Sequence, residues 1–209
     1  MIKPYSGDNF LRHNGAGEML VFSAADFEDF LQPRPDMAQN MEKELKDVVR
    51  HLVEQRWPFR LHATYDETIT RALDVFESVN EDTDFGELRW FFDHAETVSE
   101  RNLERIKQLN GGVAIQLYGD KNQLTREEAL RLWTTGSAYK SNEEDVKGVL
   151  KPGMYADIAV LSHDFMSVED EAIKAISSVM TVLGGRIVYA ADEFKTHDVP
   201  LPPASPDWS

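Results

Sequence analysis

Two histidines, His62 and His94, are the residues of this sequence that are best placed to bind a metal ion. Each lies near the end of a short apolar run that predicts a β-strand, and a segment with helical periodicity follows each run. Their separation matches one strand–helix unit of a parallel α/β fold, about 30 residues. Because the active sites of such folds lie at the C-terminal ends of the strands, two imidazoles on neighbouring strands could bind one metal ion.

The composition of the chain excludes several classes of function. The formal net charge is −15 and the isoelectric point is about 4.8. This balance argues against binding to nucleic acid or to an anionic membrane surface, because both attract clusters of Lys and Arg. The chain contains no cysteine, which excludes disulfides, thiolate metal sites and a cysteine nucleophile.

The sequence contains no recognisable membrane or export segment. No apolar run approaches the roughly 18 residues that a membrane-spanning helix needs, and residues 1–8 lack the apolar core of a signal peptide. Localisation therefore stays open, and the cytoplasm is expected if Met1 is the true start of the protein.

The first part of the chain alternates between strand-like and helix-like patterns. Strands that alternate with helices favour a parallel sheet with right-handed crossovers, so the predicted fold class is α/β. Residues 18–22 are a further, weaker strand candidate, and Asn110-Gly111-Gly112 predicts a helix stop with left-handed backbone. In order, the main predicted elements are a helix at 38–55, a strand at 58–63, a helix from about 66 to 79, a strand at 88–95, a helix at 99–109 and a strand at 113–117.

The pattern changes in the second half of the chain. Thr125 and Glu128 have the spacing of a capping box at a helix start, and Gly184-Gly185 between two β-branched runs is typical of a hairpin turn. In order, the predicted elements are a helix that ends near Gly136, a strand at 157–161, a short acidic helix at about 168–176, and a hairpin of 179–183 with 186–189.

Longer stretches of the sequence resemble a known family. In the first half, residues 61–67 and 92–96 resemble the fifth- and sixth-strand histidine motifs of the metal-dependent amidohydrolase-3 group, and residues 17–31 resemble one large branch of that group. In the second half, three segments resemble the closing helix, the return into a small β-domain and the final hairpin of the amidohydrolase superfamily: residues 124–138, 148–161 and 182–189.

The resemblance implies a (β/α)₈ TIM barrel, of which this chain carries only a part, and a small composite β-domain. Residues 1–145 would form the partial barrel, and residues 146–209 the C-terminal part of the β-domain. At the mouth of the barrel, His62 and His94 would hold a divalent metal, usually zinc. The implied reaction is hydrolysis of an amide-type, non-peptide C–N bond of a small-molecule substrate by metal-activated water.

Two carboxylates near the histidines are further candidates for the site. Asp66 could position substrate or hydrogen-bond a histidine, as carboxylates around metal sites do. It could equally be an acidic residue of the kind favoured at a helix N-terminus. Glu96 follows His94 closely and is a candidate for the same supporting or substrate-contacting roles, while the catalytic base stays unidentified.

Parts of the family pattern are not found in this sequence. There is no His-x-His motif, and the lysine ligand of the fourth strand would lie upstream of Met1. Near Gln116–Leu117, where relatives have strands seven and eight and a catalytic aspartate, the chain passes almost directly into the next helix. Either residues are missing from the sequence at this point, or the chain is a truncated or deletion product.

An incomplete barrel has consequences for assembly. Three or four parallel strands cannot close a barrel of eight. Open sheet edges and apolar faces favour association, so a homo-oligomer or a swapped dimer is expected. Two functions stay open: a metal-dependent hydrolase, and a catalytically inactive α/β fragment or interaction module that assembles with another chain.

Overall fold

The computed structural model describes residues 2–8, 11–26, 37–115 and 124–200, and these form two compact units. The N-terminal unit comprises residues 1–123 and the C-terminal unit residues 124–209. The sequence-based boundary between residues 145 and 146 lies inside the C-terminal unit and stays a prediction. Among the described residues, every helix is too short or too polar to cross a bilayer.

The N-terminal unit is built on a parallel sheet of three strands in the order β1-β2-β3, with helices between them. This arrangement confirms the predicted alternation and the α/β class. The predicted end of the third strand and the predicted gap at Gln116–Leu117 lie outside the described residues. The elements are α1 (Met41–Glu54), β1 (Phe59–Ala63), α2 (Asp66–Asp82), β2 (Trp90–His94), α3 (Glu100–Gln108) and β3 (Gly112–Ile115).

One face of this sheet packs into the apolar core. Alternate strand residues, among them Phe59, Trp90 and Phe92, pack with residues of the helices. The aromatic contacts are close: Phe76 of α2 stacks on Phe92 at 5.6 Å between ring centroids and meets Trp90 edge-on at 5.0 Å. Because strand side chains alternate between faces, the opposite face of the sheet carries the polar residues of the strands.

The polar face includes an ion pair that joins two strands. Arg60 of β1 lies 3.3 Å from the carboxylate of Asp93 on β2. Asp93 is buried, and its register partner on β1 is His62. The two histidine-bearing strands are therefore linked by backbone hydrogen bonds and by a charged pair on the face that also carries His62.

A segment before α1 extends the sheet beyond β1. The amide of Ala16 donates to the carbonyl of Pro58 at 2.8 Å, Arg60 donates back to Ala16 at 2.8 Å, and His62 donates to the carbonyl of Glu18 at 3.0 Å. The predicted strand at 18–22 is wrong, because the pairing ends at Glu18 and a 3₁₀-helix follows at Phe22–Ala24. Leu20 and Val21, although consecutive, both pack on the core, which an extended strand would not allow.

The end of α3 confirms the predicted helix stop. Asn110 has a left-handed φ of 55°, and its amide donates to the carbonyl of Lys107. The Gly111 amide donates to the carbonyl of Ile106 at 2.9 Å, which completes a Schellman motif. After this helix stop the chain enters β3, and Gly111 lies against the ring of Trp90.

The C-terminal unit contains a helical segment and an antiparallel sheet of three strands in the order β4-β5-β6. The capping box of Thr125 and Glu128 is confirmed, as is the hairpin, whose Gly184 and Gly185 have φ of 56° and 78°. The elements are α4 (Arg126–Arg131), a π-helical turn (Leu132–Gly136), α5 (Ser137–Lys140), β4 (Ile158–Leu161), α6 (Asp170–Ile173), β5 (Ser178–Leu183), β6 (Arg186–Ala190) and a 3₁₀-helix (Asp192–His197).

The predicted end of the first of these helices near Gly136 is wrong. The chain stays helical from α4 through the π-helical turn into α5, and Gly136 itself has a helical φ of −62°. Glycine only weakens a helix interior, by about 1 kcal/mol relative to alanine, and does not stop a helix unless the next residues leave the helical region.

Gly111 is expected to tolerate no side chain. A Cβ at this position would lie 2.2 Å from Cζ2 of Trp90, a fully buried ring whose indole N–H donates to the carbonyl of Leu109 at 3.0 Å. Gly111→Ala should therefore lower the free energy of unfolding by about 1–3 kcal/mol, measured by urea denaturation. The control is Gly136→Ala, whose nearest contact would be 3.6 Å and which should stabilise its helix. Equal stability of Gly111→Ala and wild type would contradict this packing.

Arg105 should make stability depend on pH. Its guanidinium joins α3 to α2 by hydrogen bonds to Glu77 at 2.7 Å and to Asp74 at 2.6 Å. The bond from Arg105 lowers the pKa of Glu77 below its ordinary 4.5. The stabilisation is therefore present above the pKa of the unfolded state and is lost as the pH falls through the lower pKa of the folded state.

The test compares unfolding of wild type and Arg105→Gln over a pH series. The difference in stability should be largest near neutral pH and should shrink as the pH falls below the ordinary pKa of 4.5 and through the lower pKa of Glu77 in the folded chain. Lys107→Gln is the matched control, because Lys107 lies on the same helix but points into solvent. A difference for Arg105→Gln that stays constant over the series would contradict the role of this ion pair.

Candidate metal centre

His62 and His94 lie at the C-terminal ends of neighbouring strands, and the structure brings their rings together. The ring centroids are 4.4 Å apart with an angle of 58° between the planes. In the sheet register His94 pairs with Ala63, so strict alternation would turn its side chain to the core face. His94 and Ala95 instead have left-handed φ values of 76° and 51°, which ends the extended geometry and leaves the ring beside His62.

Glu18 completes a three-residue cluster with the two histidines. Its Oε2 atom lies 3.2 Å from Nε2 of His94 and 3.7 Å from Nδ1 of His62. One candidate ligand atom from each of the three residues lies within 4.8 Å of the others. The Glu18 side chain is 36% exposed and that of His62 only 7%, so the cluster is open to solvent on one side.

Glu18 is a candidate ligand that the sequence analysis did not identify. Residues 16–18 hydrogen-bond to the free edge of β1 and bring the Glu18 carboxylate to the histidines. The only signal for Glu18 in the sequence is its place in the family-like segment 17–31. No strand periodicity marks it, because the paired stretch is too short to show one.

Asp26 lies behind His62 and was also not singled out by the sequence. It is fully buried, and its Oδ1 atom is 3.5 Å from Nε2 of His62. Its carboxylate accepts the backbone amides of Thr64 and Tyr65, each at 3.0 Å. Burial raises the pKa of Asp26, while the hydrogen bonds from Tyr65 and Thr64 act in the opposite direction.

Glu96, a candidate from the sequence, lies behind His94. Its side chain is only 2% exposed, and its Oε1 atom is 3.9 Å from Nδ1 of His94. Each histidine thus directs one ring nitrogen towards Glu18 and the other towards a buried carboxylate. The nitrogens that face Glu18 are Nδ1 of His62 and Nε2 of His94.

Asp66, the other candidate carboxylate, contacts the start of α3. Its Oδ1 atom accepts the amide of Ser99 and the side-chain amide of Asn102, both at 2.7 Å. The backbone amide of Asp66 donates to the hydroxyl of Thr97 at 2.8 Å. These contacts favour the interpretation of Asp66 as a helix-terminal carboxylate that ties α2 to α3.

The donor set and spacing of the cluster suit a divalent cation. Two imidazole nitrogens and one carboxylate oxygen are a ligand combination that catalytic zinc sites use, with a fourth position left for water. Ligand atoms about 2.1 Å from a tetrahedral zinc ion lie about 3.4 Å from one another. The separations of 3.2 Å and 3.7 Å from Glu18 to the two histidines fall on either side of this value.

Comparisons with solved structures show the fold. An uncharacterised protein of known crystal structure matches 78% of this chain and 54% of its own, with 17% identity and a TM-score of 0.54. An uncharacterised metal-dependent hydrolase from Pyrococcus furiosus matches 65% of this chain and 39% of its own, with 22% identity and a TM-score of 0.50. The chain therefore spans about half or less of the length of these two proteins.

Comparison with protein families is more specific. No curated protein matches the chain significantly. The sequence model of the amidohydrolase family, however, matches residues 3–118 and 112–189. These two segments together cover most of the sequence, including Glu18 and both histidines. The chain therefore belongs to the amidohydrolase family, in the amidohydrolase-3 group.

Proposed function

We propose that this chain carries the metal centre of a hydrolase that cleaves amide-type, non-peptide C–N bonds in small molecules. The observation that carries the proposal is the convergence of Glu18, His62 and His94, with one ligand atom from each within 4.8 Å of the others. Membership of the amidohydrolase family supports the hydrolase class. The similar protein from Pyrococcus furiosus is described as a metal-dependent hydrolase, which adds support for a metal.

Zinc is the metal we propose, because the two imidazoles and one carboxylate are ligands of the type it prefers. When bound, the cation would lower the pKa of a water molecule and polarise the carbonyl of the substrate. Glu18, His62 and His94 would hold it, and Glu96 would support the His94 ring from behind, 3.9 Å from Nδ1. The exposed side of Glu18 leaves a path for a small substrate.

We further propose that the N-terminal unit corresponds to part of a (β/α)₈ barrel, and that residues 146–209 belong to the family's composite β-domain. The two family matches overlap at residues 112–118, where the sequence predicts the internal gap. The limited share of the relatives' length that this chain covers also supports a partial barrel. The general base would then come from a strand that lies beyond this gap in the relatives.

An inactive fragment that assembles with another chain is the second candidate function. It is favoured by the exposure of large apolar side chains in the C-terminal unit. Trp133 is 81% exposed and Leu150 is 74% exposed, and apolar surface of this kind marks interaction sites. In this interpretation the same fold would act as a homo-oligomer without hydrolysing a substrate.

Metal content is the first test of the proposed function. The chain is stripped with a chelator and dialysed against zinc, and we expect about one equivalent to be retained. The double variant His62→Ala/His94→Ala and the single variant Glu18→Gln should each lose affinity, the double variant by more than about 100-fold. His51→Ala is the control, because His51 is an exposed residue of α1. Stoichiometric zinc in the double variant would sink the assignment.

Assembly, measured together with metal content and hydrolase activity, separates the two candidate functions. Light scattering of the purified chain should give a mass above that of the monomer, and Trp133→Glu should shift it towards the monomer because it places a charge on exposed apolar surface. Leu11→Glu, at a 72% exposed leucine of the N-terminal unit, should leave the mass unchanged. A metal-free oligomer that hydrolyses no amide would favour the inactive module, and a monomeric wild type would contradict association.

A further inference from the structure

We infer that Asp26 is a positioning residue of the metal centre: its carboxylate holds the ring proton of His62 on Nε2 and so keeps Nδ1 available as the ligand atom. This inference rests on the proposed metal centre and deepens it. It concerns a residue outside the three-residue cluster, which the sequence marks only by its place in the family-like segment 17–31.

The position of the Asp26 carboxylate is fixed by the backbone at the end of β1. The Thr64 amide contacts both Asp26 oxygens at 3.0 Å, and the Tyr65 amide contacts Oδ2 at 3.0 Å. Because N–H groups face both oxygens, the ionised carboxylate, which only accepts, fits these contacts better than a carboxylic acid. The group is fully buried, so water does not screen its charge.

The two nitrogens of His62 face two different carboxylates. Nε2 lies 3.5 Å from Oδ1 of Asp26, and Nδ1 lies 3.7 Å from Oε2 of Glu18. A neutral imidazole carries one proton, so the two carboxylates compete for it. If the proton lies on Nδ1, this nitrogen points an N–H at the centre of the cluster and cannot bind a cation there.

Asp26 attracts the ring proton of His62 more strongly than Glu18 does. It is the closer of the two carboxylates and is fully buried, where an electrostatic interaction is stronger than near the surface. Glu18 is 36% exposed and lies nearer to His94, at 3.2 Å, than to His62. We therefore assign the N–H to Nε2, the nitrogen that faces Asp26 at 3.5 Å. Metal-binding histidines commonly direct the N–H of their second nitrogen to a carboxylate in this way.

Asp26 also anchors the segment that carries Glu18. The carbonyl of Glu18 accepts the amide of His62 at 3.0 Å, and Asp26, further along the same segment, accepts the amides that follow β1. An anchoring role alone would stabilise the fold without selecting a tautomer. The experiment must therefore read the position of the proton as well as stability.

The direct measurement is the side-chain ¹⁵N spectrum of histidine-labelled, metal-free full-length chain at a pH of about 8, where an ordinary histidine is neutral. Wild-type His62 should carry its proton on Nε2. In Asp26→Asn the side-chain oxygen can still accept the backbone amides, but its NH₂ group can face Nε2, so the proton should move to Nδ1. Asp93→Asn is the matched control, because Asp93 is a buried carboxylate of β2 that pairs with Arg60. This control should keep the wild-type tautomer.

Zinc affinity, measured by competition with a chelator, is the second readout. Asp26→Asn should bind zinc about 10–100-fold more weakly than wild type, and Asp93→Asn should bind it about as tightly as wild type. Unfolding of the metal-free variants in urea shows whether each is folded in the assay. Unchanged tautomer and affinity in a folded Asp26→Asn chain would overturn the inference.

Wild-type protein alone also tests the inference, whether or not the variants fold. A wild-type chain that binds zinc but carries the His62 proton on Nδ1 in the metal-free state overturns the role of Asp26 and leaves the metal centre intact. A wild-type chain that shows the Nε2 proton but takes up no zinc overturns the proposed function, and with it the role of Asp26 in metal binding.

Discussion

The candidate site depends on the backbone hydrogen bonds by which residues 16–18 extend the parallel sheet beyond β1. The amide of His62 donates to the carbonyl of Glu18, so the residue that offers a carboxylate is tied directly to one that offers an imidazole. Without this pairing, the two histidines would be a pair of strand-end residues with too few protein ligands for a catalytic zinc site. With it, three neighbouring strand-like segments each contribute one side chain.

The two faces of the sheet that holds these residues differ: one packs on the apolar core, and the other carries the polar side chains. Phe59, Trp90 and Phe92 pack with the helices, while His62 and Asp93 occupy the other face. Alternation would place the His94 side chain on the core face. It lies beside His62 instead because its backbone leaves the extended region at the end of β2. Left-handed conformations of non-glycine residues cost of order 1–3 kcal/mol each and tend to occur at functional sites, which is consistent with the position of His94 and Ala95 beside the cluster.

Most of the local structure of the N-terminal unit follows from the sequence, because its signals are local. The periodicity of α1 and α2 and the stop at Asn110 are patterns within single elements, and the structure contains both. The hairpin around Gly184-Gly185 is local in the same sense. The predicted strand at 18–22 failed because packing of consecutive apolar residues on the core overrode a weak preference.

The site itself was predictable only in part. His62 and His94 stand out because each ends an apolar run, whereas Glu18 and Asp26 acquire their positions from tertiary contacts. The Asp26 carboxylate accepts backbone amides 38 and 39 residues further along the chain, and no local pattern around Asp26 predicts these hydrogen bonds. For Asp66 the sequence left two interpretations open, and its contacts with Ser99 and Asn102 favour the helix-terminal carboxylate over a role beside the histidines.

The contact between Glu18 and His94 joins residues separated by 76 positions in the chain. Contacts of such long range are slow to form, because the loop between them must lose its freedom before the contact gives any stabilisation. Helices and the glycine hairpin need only neighbouring residues and can form within microseconds. The three side chains of the cluster should therefore meet late in folding, after β1 and β2 have paired. A newly made chain would then form its sheet before it forms the candidate ion site.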